Sequence, residues 1–156
     1  MPRATCAAAQ LALRDWITRA RTNPANTMIL HVASHGVSAG RRSAILFADY
    51  RLDPFHKTAG MTETGQLATA LSQVDVTGKL VIFDCCRNAG DPSLDPLQTL
   101  GLPLIGEMNG GQMPPRMPQI LHSTVLGEQA LGGKDRPTVF ARLLLDALGG
   151  LAADPQ

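Results

Sequence analysis

Two short apolar runs, each followed by chemically reactive side chains, constrain the fold of this chain more than any other feature. The first run, residues 27–34, leads into His35, and the second, residues 80–83, leads into Asp84 and Cys86. Short apolar runs rich in β-branched residues are typical of buried strands in a parallel sheet. The carboxyl ends of such strands gather at one edge of the sheet, where ligand chemistry also gathers. We therefore expect His35 and Cys86 to meet at one sheet edge.

The remaining pattern predicts helices around these strands. Apolar positions at helical spacing predict helices over residues 5–20, 62–74 and 138–148. Two further apolar runs predict strands over residues 43–48 and 119–125. Residues 37–42 are expected to form a loop, and residues 49–64 to be largely irregular. Alternating helices and strands of this kind predict an α/β layered domain with a parallel sheet.

Length and composition favour one domain and exclude several partners. A chain of 156 residues fits a single domain, divided here into 5–90, a Pro- and Gly-rich linker-like loop over 91–118, and a final strand and helix over 119–149. Fourteen basic against 13 acidic residues offer no electrostatic basis for binding nucleic acid or an anionic membrane. No apolar run approaches the roughly 20 residues that span a bilayer.

Cysteine usage indicates a reducing compartment. Three cysteines, two of them adjacent, do not form a disulfide framework, so a cytoplasmic location is expected. No cofactor is expected.

The reactive residues suit nucleophilic catalysis by a thiol. Such catalysis needs a readily deprotonated nucleophile, an imidazole that manages protons, and N–H groups that hold an oxyanion. Cys86 and His35 meet the first two needs, and the N–H groups of Gly36 and Cys86 are candidate oxyanion donors. Gly36 also lacks a Cβ where substrate backbone would approach.

Each assignment has a competing interpretation. Cys85 is an alternative nucleophile, but strand alternation sends adjacent side chains to opposite faces, so only one cysteine faces His35 and core packing is expected for Cys85. His31, flanked by apolar residues, is expected in the core or at a strand edge. A metal site using both histidines and both cysteines is disfavoured, because adjacent cysteines on opposite faces chelate poorly.

Two segments resemble the caspase-like cysteine peptidases. Residues 32–36 resemble the Ser-His-Gly segment of caspases, and residues 84–88 resemble both the caspase Gln-Ala-Cys-Arg-Gly segment and the Asp-x-Cys of metacaspases. Residues 31–36 are also similar to the His-x-x-x-His-Gly segment of CHAT peptidases. The resemblance implies a caspase-like three-layer sandwich with a mainly parallel sheet.

The later part of the chain extends this resemblance. Residues 120–124, 127–130 and 138–140 resemble the strand and helix that follow the cleavage linker in bacterial caspase-like proteins. The similarity then covers roughly residues 8–149. Within the linker, Arg116 is a candidate self-cleavage point.

The resemblance implies roles for individual residues. Cys86 corresponds to the nucleophile and His35 to the catalytic histidine, while Asp84 and Ser34 correspond to substrate-binding positions. A carboxylate in a specificity pocket attracts a basic side chain, so cleavage of proteins or peptides after Arg or Lys is expected. The alternative for Asp84 is a structural one, in which it accepts hydrogen bonds from nearby backbone N–H groups.

The chain departs from the family at its beginning. The strand and helix that normally open the domain are not recognisable, so the fold is expected to be N-terminally abbreviated, and the strand at Thr27 to have an exposed edge. A partner chain or an N-terminal segment outside this sequence would then supply the missing strand. The alternative function is an inactive or split caspase-fold module in protein–protein interaction. A homodimer formed through the last strand is the remaining partner hypothesis.

Overall fold

The computed structural model describes residues 4–89, 100–106, 115–132 and 136–151 of the chain. In chain order the elements are α1 (Cys6–Ala20), β1 (Thr27–Ala33), β2 (His35–Ala39), β3 (Arg42–Leu46), β4 (Met61–Glu63), α2 (Thr64–Ser72), β5 (Gly78–Asp84), β6 (Gln119–His122) and α3 (Val139–Asp146), followed by a π-helical turn at Ala147–Leu151. Within the described ranges, no helix is long and apolar enough to cross a bilayer.

The main sheet is entirely parallel, with strand order β1-β5-β6. Strands β1 and β5 pair in one unbroken register, from Thr27 opposite Gly78 to Ala33 opposite Asp84. A second, antiparallel sheet has the order β2-β3-β4. The expected α/β class with a mainly parallel sheet is confirmed, and it is compatible with a caspase-like fold.

One face of the main sheet carries the core. The side chains that α1, α2 and β5 contribute to a single apolar cluster include Leu13, Ile17, Leu67, Leu71, Val81 and Phe83. Helices α1 and α2 therefore cover the same face. Residues two apart on a strand share a face, so this packing also places Cys85, which belongs to the cluster, on the covered side.

The opposite face is open along β1. Ile29 is 60% exposed, and His31 and Ala33 are also exposed. Of the two positions expected for His31, the core is wrong, because odd-numbered residues of β1 point away from α1 and α2. The strand edge agrees with the structure, since β1 is the outer strand of its sheet among the described residues. The apolar positions of α3 are not buried either: Leu143 is 58% and Leu145 63% exposed.

The expectation of a loop over residues 37–42 is wrong, whereas the segment 49–64 is largely irregular, as expected, and only its end forms regular structure. Residues 37–42 are not a loop: β2 and β3 form a hairpin in which Ser38 pairs with Ser43 and Gly40, at φ 58°, makes the turn. The segment 49–64 also contains β4, because Met61 pairs with Leu46 of β3. Both strands are short, and their pairing depends on neighbours rather than on their own apolar pattern.

Several element boundaries differ from expectation by a few residues. The helix expected from residue 62 begins at Thr64, since the two preceding residues belong to β4. The strand expected to reach residue 125 ends at His122. The last helix ends at Asp146, and the π-helical turn that follows contains Gly150 at φ 107°.

The linker predicted over 91–118 lies partly outside the described residues. Leu100 is 1% exposed and packs with Met61 of β4. Arg116 donates its N–H to the Ser72 carbonyl at 3.2 Å and accepts the Lys79 ammonium on its own carbonyl at 3.2 Å. The backbone at Arg116 is thus attached to the end of α2 and the start of β5.

Replacement of Phe83 tests whether the covered face is the main source of stability. Phe83 is 0% exposed, so Phe83→Ala should lower the free energy of unfolding by about 3–5 kcal/mol. Phe55→Ala is the matched control, because Phe55 is 89% exposed and its loss should change stability by no more than about 0.5 kcal/mol. Urea denaturation followed by circular dichroism measures both values, and similar losses would contradict this account of the core.

Candidate active site

A constant register aligns the ends of β1 and β5 and the residues beyond them. Ala33 pairs with Asp84, and an isolated parallel bridge joins Ser38 to Ala89, so both contacts connect residues 51 positions apart. Extrapolated across the residues between these two contacts, the same offset sets the backbone position of His35 opposite that of Cys86. The backbone hydrogen bonds agree with this register. The Ser34 N–H donates to the Asp84 carbonyl at 3.3 Å, and four residues later the Ser38 N–H donates to the Asn88 carbonyl.

The two adjacent cysteines occupy different environments. Cys85 is 2% exposed within the core cluster, as expected, whereas Cys86 is half-buried. Burial, assisted by the nearby Cys86 and Asp84 charges, raises the pKa of the Cys85 thiol to about 11. A thiol with that pKa is almost entirely protonated at neutral pH, and the thiolate is the nucleophilic form. Cys85 is therefore poorly suited to nucleophilic attack.

Gly36 allows the chain after β1 to approach the chain after β5. A Cβ on Gly36 would lie 2.3 Å from the Cys86 carbonyl oxygen and 3.1 Å from the Cys85 sulfur. Only a residue without a side chain fits so close to another backbone. The contact that requires glycine is therefore with the protein's own backbone at Cys86.

Two serines attach these strand ends to their surroundings. Ser38 is 8% exposed, and its hydroxyl donates to the Arg87 carbonyl at 2.7 Å. The Ser34 hydroxyl donates to the Leu46 carbonyl. The hydroxyl of Ser34, a predicted substrate-binding residue, thus has a structural partner on β3.

The segment between β6 and α3 contacts the nucleophile candidate directly. The Ala130 N–H donates to the Cys86 sulfur at 3.4 Å, the Arg87 N–H donates to the Glu128 carbonyl at 2.9 Å, and the Thr124 hydroxyl donates to the Cys85 carbonyl at 3.1 Å. Sequence reasoning missed these contacts, because two of the three donors are backbone groups.

Asp84 is enclosed rather than exposed to a preformed pocket. Its side chain is 3% exposed, and its Oδ2 accepts a hydrogen bond from the Thr138 hydroxyl. Its Oδ1 is buried without a hydrogen-bond partner among the described residues. A threonine immediately before an apolar run is a recognisable helix N-cap signal, but nothing in the sequence connects that threonine to Asp84.

Metal binding at this site finds no support in the described part of the chain. No three His, Cys, Asp or Glu side chains there lie close enough together to hold a metal ion.

Comparison with known families assigns the chain to a class. A model of the caspase domain family, a family of cysteine peptidases, matches residues 2–154. The chain therefore belongs to the caspase domain family, as its sequence motifs led us to expect. No curated protein sequence matches it.

Substitution of Gly36 tests the close approach of the two strand ends. Gly36→Ala should destabilise the protein by more than about 1 kcal/mol, because the new Cβ would collide with backbone that has little room to move. Gly65→Ala is the matched control, since its Cβ would meet only Glu63 Oε1 at 3.6 Å and alanine favours the helix. Thermal denaturation compares them. Equal midpoints for Gly36→Ala and wild type would contradict the contact.

Limited alkylation tests the different environments of the cysteines. Burial raises the pKa of both Cys6 and Cys85, so iodoacetamide at pH 7.5 should modify Cys86 first in the folded protein. Peptide mapping by mass spectrometry identifies the modified residue, with urea-unfolded protein as the control in which all three react. Early modification of Cys85 would contradict the assignment.

Proposed function

We propose that this chain is a cysteine endopeptidase that cleaves proteins after Arg or Lys, with Cys86 as nucleophile and His35 as catalytic histidine. The observation that carries the proposal is the constant offset of the β1–β5 register, which continues to the bridge between Ser38 and Ala89. Membership of the caspase domain family supports the same chemistry. Protein or peptide substrates follow from that membership.

The chemistry proceeds in two halves. The Cys86 thiol transfers its proton to His35, and the thiolate attacks the carbonyl carbon of the scissile peptide. His35 then protonates the leaving amine as the C–N bond breaks, which leaves an acyl group on the Cys86 sulfur. Water attacks this thioester, gives a proton to His35 and releases the carboxylic acid, and the proton on His35 returns to Cys86.

Backbone N–H groups would stabilise the charge that develops on the carbonyl oxygen. Those of Gly36 and Cys86 are the proposed donors, since the two residues lie against each other at the end of β5. Donors held by rigid backbone need no reorganisation during the reaction, which is why such arrangements accelerate acyl transfer.

The preference for basic side chains rests on Asp84. Its Oδ1 is buried without a partner among the described residues, and an Arg or Lys side chain of the substrate would satisfy it. Ser34 lies beside this position on the neighbouring strand end. An acidic substrate side chain would be repelled by the same carboxylate.

The first experiment is hydrolysis of fluorogenic peptides that end in Arg, Lys, Asp or Leu. We expect cleavage after Arg and Lys only, and a loss of kcat/KM of roughly three orders of magnitude or more in Cys86→Ala and in His35→Ala. Asp84→Asn should reduce cleavage of the Arg and Lys peptides, because it removes the carboxylate charge proposed to bind their side chains.

Cys85→Ala is the matched control, because it removes a thiol from the adjacent position on the other face. It should retain turnover if the protein remains folded. Cleavage that persists in Cys86→Ala and disappears in Cys85→Ala would overturn the assignment of the nucleophile.

A second candidate function is an inactive or split caspase-fold module that binds a partner chain. In the described part of the molecule, the outer edge of β1 has no strand partner. A groove of about 730 Å³ runs beside this edge and is lined mainly by α1, β1, the end of β3 and the residues just after it, including Trp16, Leu30 and Phe47. An edge strand with free backbone groups is where an extended segment adds to a sheet.

Covalent labelling separates the two functions. An electrophilic peptidyl probe that modifies wild type but neither Cys86→Ala nor His35→Ala supports the peptidase. A folded wild-type protein that hydrolyses no peptide and takes up no probe favours the binding module.

A cytoplasmic location remains part of the proposal, since a reducing compartment would keep the Cys86 thiol free.

A further inference from the structure

The hydroxyl of Thr138 makes two hydrogen bonds at once. It accepts the Ala141 N–H at 2.9 Å as the N-cap of α3, and it donates to Asp84 Oδ2. A hydroxyl has a single proton, and the cap uses only a lone pair, so the proton is available for the carboxylate. The start of α3 and the Asp84 side chain are therefore directly linked.

This link leaves Asp84 with its two oxygens in different states. Oδ2 is bonded to Thr138, whereas Oδ1 is buried with no partner among the described residues. Buried polar atoms in folded proteins are nearly always paired, and leaving one unpaired costs about 1–3 kcal/mol. An unpaired, enclosed carboxylate oxygen points to a ligand that donates hydrogen bonds, and a cationic group does so most strongly.

The same part of the chain also reaches the nucleophile candidate. The Val139 N–H donates to the Leu131 carbonyl at 2.9 Å, which joins the start of α3 to the segment after β6. In that segment the Ala130 N–H donates to the Cys86 sulfur. Contacts to Asp84 and to Cys86 thus come from one neighbourhood of the fold.

We propose that Thr138 is a positioning residue that holds Asp84 Oδ2 so that Oδ1 receives the cationic side chain of the substrate. This inference rests on the proposed function and adds a second determinant of the preference for Arg or Lys. Because Oδ1 is enclosed, the residues around Asp84 must make room for the cationic group, and the hydrogen bond from Thr138 would hold the carboxylate in place meanwhile.

Three replacements of Thr138 separate its two hydrogen bonds. Thr138→Ser keeps both, Thr138→Val loses both, and Thr138→Asp keeps a good N-cap but replaces the donor with a like charge. Thr5→Val is the matched control: Thr5 caps α1 in the same way, accepting the Ala8 N–H at 3.2 Å on its hydroxyl oxygen. It reports the cost of losing a threonine cap elsewhere in the protein.

The measurement is the rate at which two peptidyl acyloxymethyl ketones modify Cys86. The two probes are identical except for Arg or Leu at the position next to the reactive group. We expect the ratio of the Arg rate to the Leu rate to fall about tenfold in Thr138→Val and Thr138→Asp, as for a weakened hydrogen bond to a charged group. The ratio should remain within about threefold of wild type in Thr138→Ser and in Thr5→Val.

The outcomes distinguish this inference from the proposed function. A wild-type preference for Arg that Thr138→Val and Thr138→Asp leave unchanged overturns the role of Thr138 alone. Equal losses with both probes in these two variants also overturn it, because they indicate a general structural effect. No Cys86-dependent labelling of wild type by either probe contradicts the proposed function, and this inference with it.

Discussion

The parallel pairing of β1 with β5 is the constraint on which the rest of the structure depends. Its register runs without a break from Thr27 to Ala33, and the bridge from Ser38 to Ala89 continues it past the ends of both strands. A slip of one residue would reverse the face of every side chain on one strand. The core on the covered side specifies this register, and the same offset, extrapolated past the strands, sets the backbone position of His35 opposite that of Cys86.

Close backbone contact maintains this alignment beyond the sheet. Gly36 lies against the Cys86 carbonyl, and the Ser38 hydroxyl donates to the carbonyls of Arg87 and Asn88, the next two residues. Strand alternation gives the neighbouring cysteine a different environment, in which burial raises the pKa of the Cys85 thiol to about 11. Two chemically identical residues are thus made unequal by position alone, which explains how adjacent cysteines can differ in reactivity.

In this caspase-family chain, one face of the main sheet is covered by helices and the other is exposed along β1. Helices α1 and α2 bury one face of the sheet, whereas β1 presents exposed residues on the other and has a free outer edge within the described residues. The start of α3 is attached to Asp84, yet the helix buries none of its described side chains. Site and open surface are therefore adjacent, and the site draws on elements distant in sequence.

The sequence by itself determined the strands around His35 and Cys86, the helices α1 and α2, and the burial of Cys85, because hydrophobic periodicity and strand alternation are local properties. It did not predict β2 or β4, whose short strands form only by pairing with β3. Nor did it show that His31 is exposed or that Thr138 bonds to Asp84, 54 positions away. Those features depend on which surfaces meet, and only the tertiary structure decides that.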